Sequence, residues 1–159
     1  MPLTPSQSAT LKAAILADPT QAAKIPVGDY QGLVDWLNAV VAPAFILWRT
    51  SVPIDDIMRN GMAWDRVDNL SIGKARIWEW MGRLGTLDAT KPNIRAGIDA
   101  TWVGTAPDLA VRATVYTHCK RSATRAEKLL ATGTGSDASP AVPGWEGTLQ
   151  SEIPEILSA

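Results

Sequence analysis

Helix start and stop signals recur along the whole chain, and they constrain its fold more than any other feature. Thr4-Pro5-Ser6-Gln7 reads as a capping box, with Thr4 as N-cap and Pro5 in the first turn. Leu11 and Ile15 follow one turn apart, and Asp18-Pro19 stops the helix. A second helix opens at Asp29 or Tyr30, with Leu33, Trp36, Leu37, Val40 and Val41 on one face, and Pro43 ends it. Residues 44–50 are short, apolar and bounded by prolines, so they are either extended or a buried helical turn. A short helix is expected from Pro53 to Met58, with Gly61 near its end.

The spacing predicts a central helix over 69–84. Leu70, Ile77, Trp80, Met81 and Leu84 form its core stripe, and Trp78 falls outside that stripe. The next helix carries Ile94, Ile98 and Trp102 at successive i+4 positions. Thr105 caps another, with Asp108 at the third position, where the helix dipole favours an anion. Its expected core face is Leu109, Ala113 and Tyr116. Ser122 is expected to cap the last clear helix, which runs to about Ala131. Thr132–Pro140 reads as a flexible linker by composition.

These elements add up to an all-α fold, a bundle of about six helices with an extended loop near 44–52. The expected organisation is a helical domain over 1–131, followed by a flexible linker and C-terminal docking arm over 132–159. Trp145, Leu149, Ile153, Ile156 and Leu157 are the arm's anchors. Removing residues 133–159 is then expected to leave a folded monomer that fails to assemble.

The side chains available favour packing over chemistry. Seven tryptophans stand beside one histidine, one cysteine and one phenylalanine, and tryptophan suits cores and protein interfaces. One cysteine forms no internal disulfide, and one Cys with one His builds no zinc framework. The net charge of −1 argues against a protein that coats nucleic acid. The first residues lack the basic and apolar regions of a signal peptide. The apolar run around Val40–Trp48 contains Pro43 and is too short for a membrane span. A soluble protein is expected.

Four groupings invite a chemical reading. His118 and Cys119 are helix neighbours about 100° apart, which suits a buried thiol and a helix-end histidine better than a catalytic pair. Gly133–Ser136 lacks the lysine and flanking strand of a phosphate loop. Asp55, Asp56, Asp65 and Asp68 fit helix first turns and caps rather than a metal site. Arg112, Lys120, Arg121, Arg125 and Lys128 make residues 112–128 basic, and 129–159 are acidic with no basic residue. That pattern suits DNA, an acidic partner, head-to-tail contact between identical subunits, or a solvated face. No catalytic, cofactor or metal residue is assigned, and an enzyme is not expected.

Several stretches, LWRTSV (47–52), WDRVDNLSIGKARIWEWM (64–81), residues 94–135 and WEGTL (145–149), together resemble short structural proteins of the head-and-tail region of tailed bacteriophages. The resemblance covers roughly 44–150 and rests on overall similarity, not on a chemical motif. Within that group the chain is most similar to head–tail connectors, or adaptors. The resemblance implies a homo-oligomeric ring, a dodecamer, beneath the portal protein, contacting tail or neck proteins around a channel for genomic DNA that is not read by sequence. It implies a place in the virion neck after assembly in the host cytoplasm, no cofactor and no membrane. The expected subunit and portal contacts are Trp78, Trp145, Leu149, Ile153, Ile156, Arg121, Arg125 and Lys128. Alternatives are a tail-side neck or tail-completion protein, and a small DNA-binding regulator.

Overall fold

The computed structural model describes residues 2–159. In chain order the elements are α1 (Pro5–Ala17), α2 (Pro19–Ala22), α3 (Tyr30–Asn38), β1 (Ile46–Trp48) and β2 (Val52–Pro53). Then come α4 (Ile54–Arg59), α5 (Trp64–Asp68), α6 (Ile72–Gly82), β3 (Thr86–Leu87) and α7 (Pro92–Thr101). The chain finishes with α8 (Ala106–Cys119), β4 (Lys120–Ser122), α9 (Arg125–Leu130) and α10 (Ile153–Ser158).

The expected all-α bundle of six helices is therefore overturned. About 53% of the chain is helical. The described residues form ten helices and four short strands, the strands in two two-stranded sheets, β1 with β4 and β2 with β3. The physical reason lies in the connections. The apolar 46–48 segment, between Pro43 and Pro53, resolves as a strand. Lys120–Ser122, expected to lead into a helix, is extended because the α9 cap is Thr124 rather than Ser122: Thr124 and Glu127 form a reciprocal capping box. The helix expected over 69–84 is likewise shorter, with α5 standing separately before it.

The chain divides into two compact units, and not at residue 131. The first unit joins the residues up to Leu47 with Ser122–Ala159, and the second is Trp48–Arg121. In the first unit, α1 meets α9 and α10, and α3 packs against α9 and α10. Its main core holds Leu11, Ile15, Leu33, Val34, Leu37 and Ala126 together with Trp145, Leu149, Ile153 and Ile156. Residues 132–159 are thus not a loose arm. Thr132 and Val142 exchange backbone hydrogen bonds at 2.9 and 2.8 Å. Ala141 N–H donates to Ile46 at 2.9 Å, and Gln7 Nε2 donates to the Gly144 carbonyl at 2.9 Å. The Asn38 side chain clamps Leu149 at both ends, donating to its carbonyl at 2.7 Å and accepting from its N–H at 3.0 Å.

Gly135 shows why the expected linker is fixed. Its φ is +66°, and a Cβ there would fall inside the Phe45 ring, so only glycine fits. A smaller cluster of Leu47, Ala123 and Ala141, with Phe45 and Ala131 against it, completes this unit.

In the second unit α6 packs on α7, and α8 on α4 and α7. β2 pairs antiparallel with β3, Val52 opposite Leu87. The core gathers Val52, Ile57, Met62, Trp78, Met81, Leu87, Ile98, Trp102, Val111, Val115 and Cys119. Trp78 meets Trp102 edge-on at 5.3 Å between centroids. The buried row of α8 is Asp108, Val111, Val115 and Cys119, not the expected Leu109, Ala113 and Tyr116. Among the described residues no helix is long and apolar enough to cross a membrane.

Candidate assembly surfaces

A cleft lies in the first unit, and helix α9 builds one side of it. The Thr124–Glu127 capping box fixes the start of α9, with each residue's side chain bonded to the other's backbone N–H, at 2.9 and 3.3 Å. Ala126 turns into the core against α1 and α3. Arg125, Lys128 and Leu129, three and four residues apart, therefore face outward together. Ala14 and Ala17 of α1, Pro19, Trp36 of α3 and Val41 supply apolar walls, and Asp18 an acidic one. The cavity volume is about 760 Å³.

Both cations are positioned by aromatic rings. The Arg125 guanidinium lies 4.5 Å from the Trp36 ring centroid and donates to the Trp36 carbonyl, while its backbone N–H donates to Ala39 at 2.9 Å. Lys128 Nζ sits 5.7 Å from the Phe45 ring and is otherwise exposed. These contacts hold positive charge beside an apolar wall without neutralising it. Asp18 is partly engaged, accepting from the N–H groups of Thr20 and Gln21 at 2.9 and 3.3 Å as the N-cap of α2.

The second surface is the outer face of α6. Ile72 is 75% exposed, Trp80 63% and Leu84, just past the helix end, 59%. Glu79 and Arg83 form an exposed i,i+4 ion pair on the same helix. Contiguous exposed apolar groups of this kind are one sign of an interaction surface.

The expected contact residues divide sharply. Trp78 is buried against Trp102 and is not on the surface, so the expected phase of α6 is corrected: Trp78 faces in and Trp80 faces out. Trp145, Leu149, Ile153 and Ile156 are core residues of their own chain. Arg125 and Lys128 come together in the cleft. Arg121 lies in the other unit, so the basic 112–128 stretch is split between two bodies. Arg112 there is paired with Asp99 at 3.5 Å, and Lys120 Nζ lies 6.0 Å from the Trp48 ring. Trp80 and Trp36 are the residues that reading the sequence did not assign to a surface site. The charges flanking Trp80 (Arg76, Glu79 and Arg83) were the available signal.

The other groupings resolve as structural. Cys119 is buried, and burial pushes its thiol up to about 11, leaving little thiolate at neutral pH. His118 Nε2 lies 2.9 Å from the Asn60 carbonyl. Asp55 pairs with Arg59 at 2.8 Å within α4. Asp108, at the N-terminus of α8, bonds Arg66 at 2.8 Å and accepts the Thr105 hydroxyl at 2.7 Å. The Arg66 bonds, then the Thr105 hydroxyl, hold its carboxyl below the usual range. Burial, followed by its bond to Asp99, raises the Tyr116 phenol. No group of three or more metal-ligating side chains occurs among the described residues. No protein-family model, curated protein or solved structure matches this chain.

Proposed function

We propose that this chain is a structural protein of a tailed-bacteriophage virion, a head–tail connector (adaptor). Its copies form an oligomeric ring below the portal and link the capsid vertex to the tail around the DNA channel. The work is mechanical: the subunits hold together, hold the portal and present a face to tail or neck proteins. The family reading rests on the resemblance over residues 44–150. The structural observation that supports an assembling protein is the exposed face of α6, where Trp80 is 63% exposed beside Ile72 and Leu84.

The test is to mix the purified full chain with a portal ring and examine the products by light scattering and negative-stain imaging. Rings that sit on the portal are expected. If the chain neither self-associates nor binds portal across a broad concentration range, the connector reading fails. A tail-side neck or tail-completion protein would instead bind tail components and ignore the portal. A DNA-binding regulator would bind duplex DNA with a steep salt dependence. That alternative is weakened by the pairing of Arg112 with Asp99.

A further inference from the structure

We propose that the α9 cleft of one copy receives the outer face of α6 from a second copy, with Trp80 as the knob and Glu79 set against Lys128. The inference deepens the assembly reading above and rests on it. It names the two surfaces that meet and makes them different from each other.

Three observations carry it. The first is shape. An exposed indole on a helix needs a concave, apolar receptor, and the cleft is concave, walled by Ala14, Ala17, Trp36 and Leu129, with a volume of about 760 Å³. That lies within the roughly 300–1,000 Å³ typical of binding clefts, room for an indole with a neighbouring aliphatic side chain. Alanines at 14 and 17 leave the helix α1 wall open, and Trp36 offers a ring face for aromatic contact.

The second is charge. Glu79 precedes Trp80 at the edge of the same exposed face, about 100° round the helix, and its present partner is the exposed Arg83, a kind of pair that holds little energy in water. The cleft carries Arg125 and Lys128, which lack acidic partners among the described residues and are held by Trp36 and Phe45. Seating Trp80 there brings Glu79 to a cationic wall and leaves Arg83 for Asp18 on the other side. Each surface carries both signs, so the charges select one orientation.

The third is symmetry. Knob and cleft are distinct patches, so the contact is heterologous: every copy offers one of each. Such contacts propagate around a ring, whereas a self-complementary patch stops at a dimer.

The experiment compares the full chain with Trp80→Ala, Glu79→Lys, Lys128→Glu and the double variant Glu79→Lys/Lys128→Glu by sedimentation velocity and light scattering. Circular dichroism verifies folding, and all three positions are exposed. Trp80→Ala is expected to weaken self-association by about 30-fold or more, the scale of an aromatic hot spot. Each charge reversal should weaken it about tenfold, because it sets like charges together. The double variant should recover, and so should an equimolar mixture of the two single reversals, whose unlike chains pair correctly at both ends.

If Lys128→Glu associates like the unaltered chain, the cleft is not the receptor and the inference is overturned. The same holds if the double variant fails to recover, or if the unaltered chain stays monomeric. An α6–α6 dimer is recognised by sensitivity to Trp80→Ala without sensitivity to Lys128→Glu. Portal binding is scored separately. A chain that binds portal yet shows no knob-and-cleft coupling overturns this inference alone, and one that does neither overturns the connector reading too.

Discussion

Deleting residues 144–159 is predicted to unfold the first unit instead of releasing a detachable arm. The deletion removes Trp145, Leu149, Ile153 and Ile156, four of the ten buried residues of that unit's main core. At about 1.5–3 kcal/mol for each large apolar side chain, the loss is about 6–12 kcal/mol, against total stabilities of about 5–15 kcal/mol for ordinary domains. It also strips the Leu149 partners from Asn38 and the Gly144 partner from Gln7. Hydrogen exchange read by mass spectrometry separates the regions. Amides of α1 and α3 should lose their protection, while those of α6, α7 and α8, whose core includes no deleted residue, keep most of theirs. The single change Ile156→Ala should cost about 2–5 kcal/mol, toward the lower end because a six-residue terminal helix relaxes easily. Unchanged protection in α1 and α3 after the deletion would refute the argument and restore the arm.

The two neighbouring tryptophans of α6 should behave oppositely in urea: Trp78→Ala loses about 3–5 kcal/mol, whereas Trp80→Ala stays within about 0.5 kcal/mol. Asp108→Asn should destabilise at neutral pH. The lowered carboxyl stabilises the fold fully above its ordinary value of 3.8 and ceases to as pH falls through the lowered value, so the gap between variant and parent should close in strong acid. A parallel pair of pH–stability curves would contradict that assignment. Cys119 should resist a thiol reagent at pH 8 in the folded protein and react at once in denaturant. Gly144→Ala should cost about 1–3 kcal/mol in thermal unfolding, since its Cβ would collide with the Leu130 carbonyl.

Local helix chemistry was legible in the sequence. The Thr4 capping box, the Asp18 stop, a helix opening at Asp29 or Tyr30 and the Thr105 cap with Asp108 all form as read, because each depends on residues within one turn. What escaped were long-range matters. β1 and β4 lie more than seventy residues apart, and nothing in Lys120-Arg121-Ser122 marks a strand until 46–48 is beside it. The flexible composition of 132–140 hid a fixed path, since its order comes from Phe45 against Gly135 and from the pairing of Thr132 with Val142. Of the C-terminal anchors, Trp145, Leu149, Ile153 and Ile156 are buried and Leu157 partly so. Which chain buries them was not readable from their spacing.

The site turned on a smaller error with a larger consequence. Taking Ile77 as the reference, Leu70, Met81 and Leu84 lie within about 40° of it on a helix, and Trp80 about 60° to one side. That cluster suggested a stripe centred on Ile77 that takes in Trp80. Leu84, like Leu70 before the helix, lies outside α6, where helical angles no longer apply. Without them the stripe rests on Ile77 and Met81, and Met81 and Trp78 lie about 40° and 100° to the other side. A turn of roughly 50° is enough to bury one indole and expose the next. The burial of Trp78 against Trp102 decides the matter, because an edge-on aromatic pair inside a core outweighs a small gain in regularity of the stripe. Helix α6 therefore carries two apolar faces: the inner one closes its own unit, and the outer one stays in solvent. Amphipathic spacing cannot rank those faces, since both satisfy it. The charges lean one way: Arg76 and Arg83 lie about one turn either side of Trp80, where ions stay solvated, whereas Met81 and Gly82 follow Trp78 one turn on.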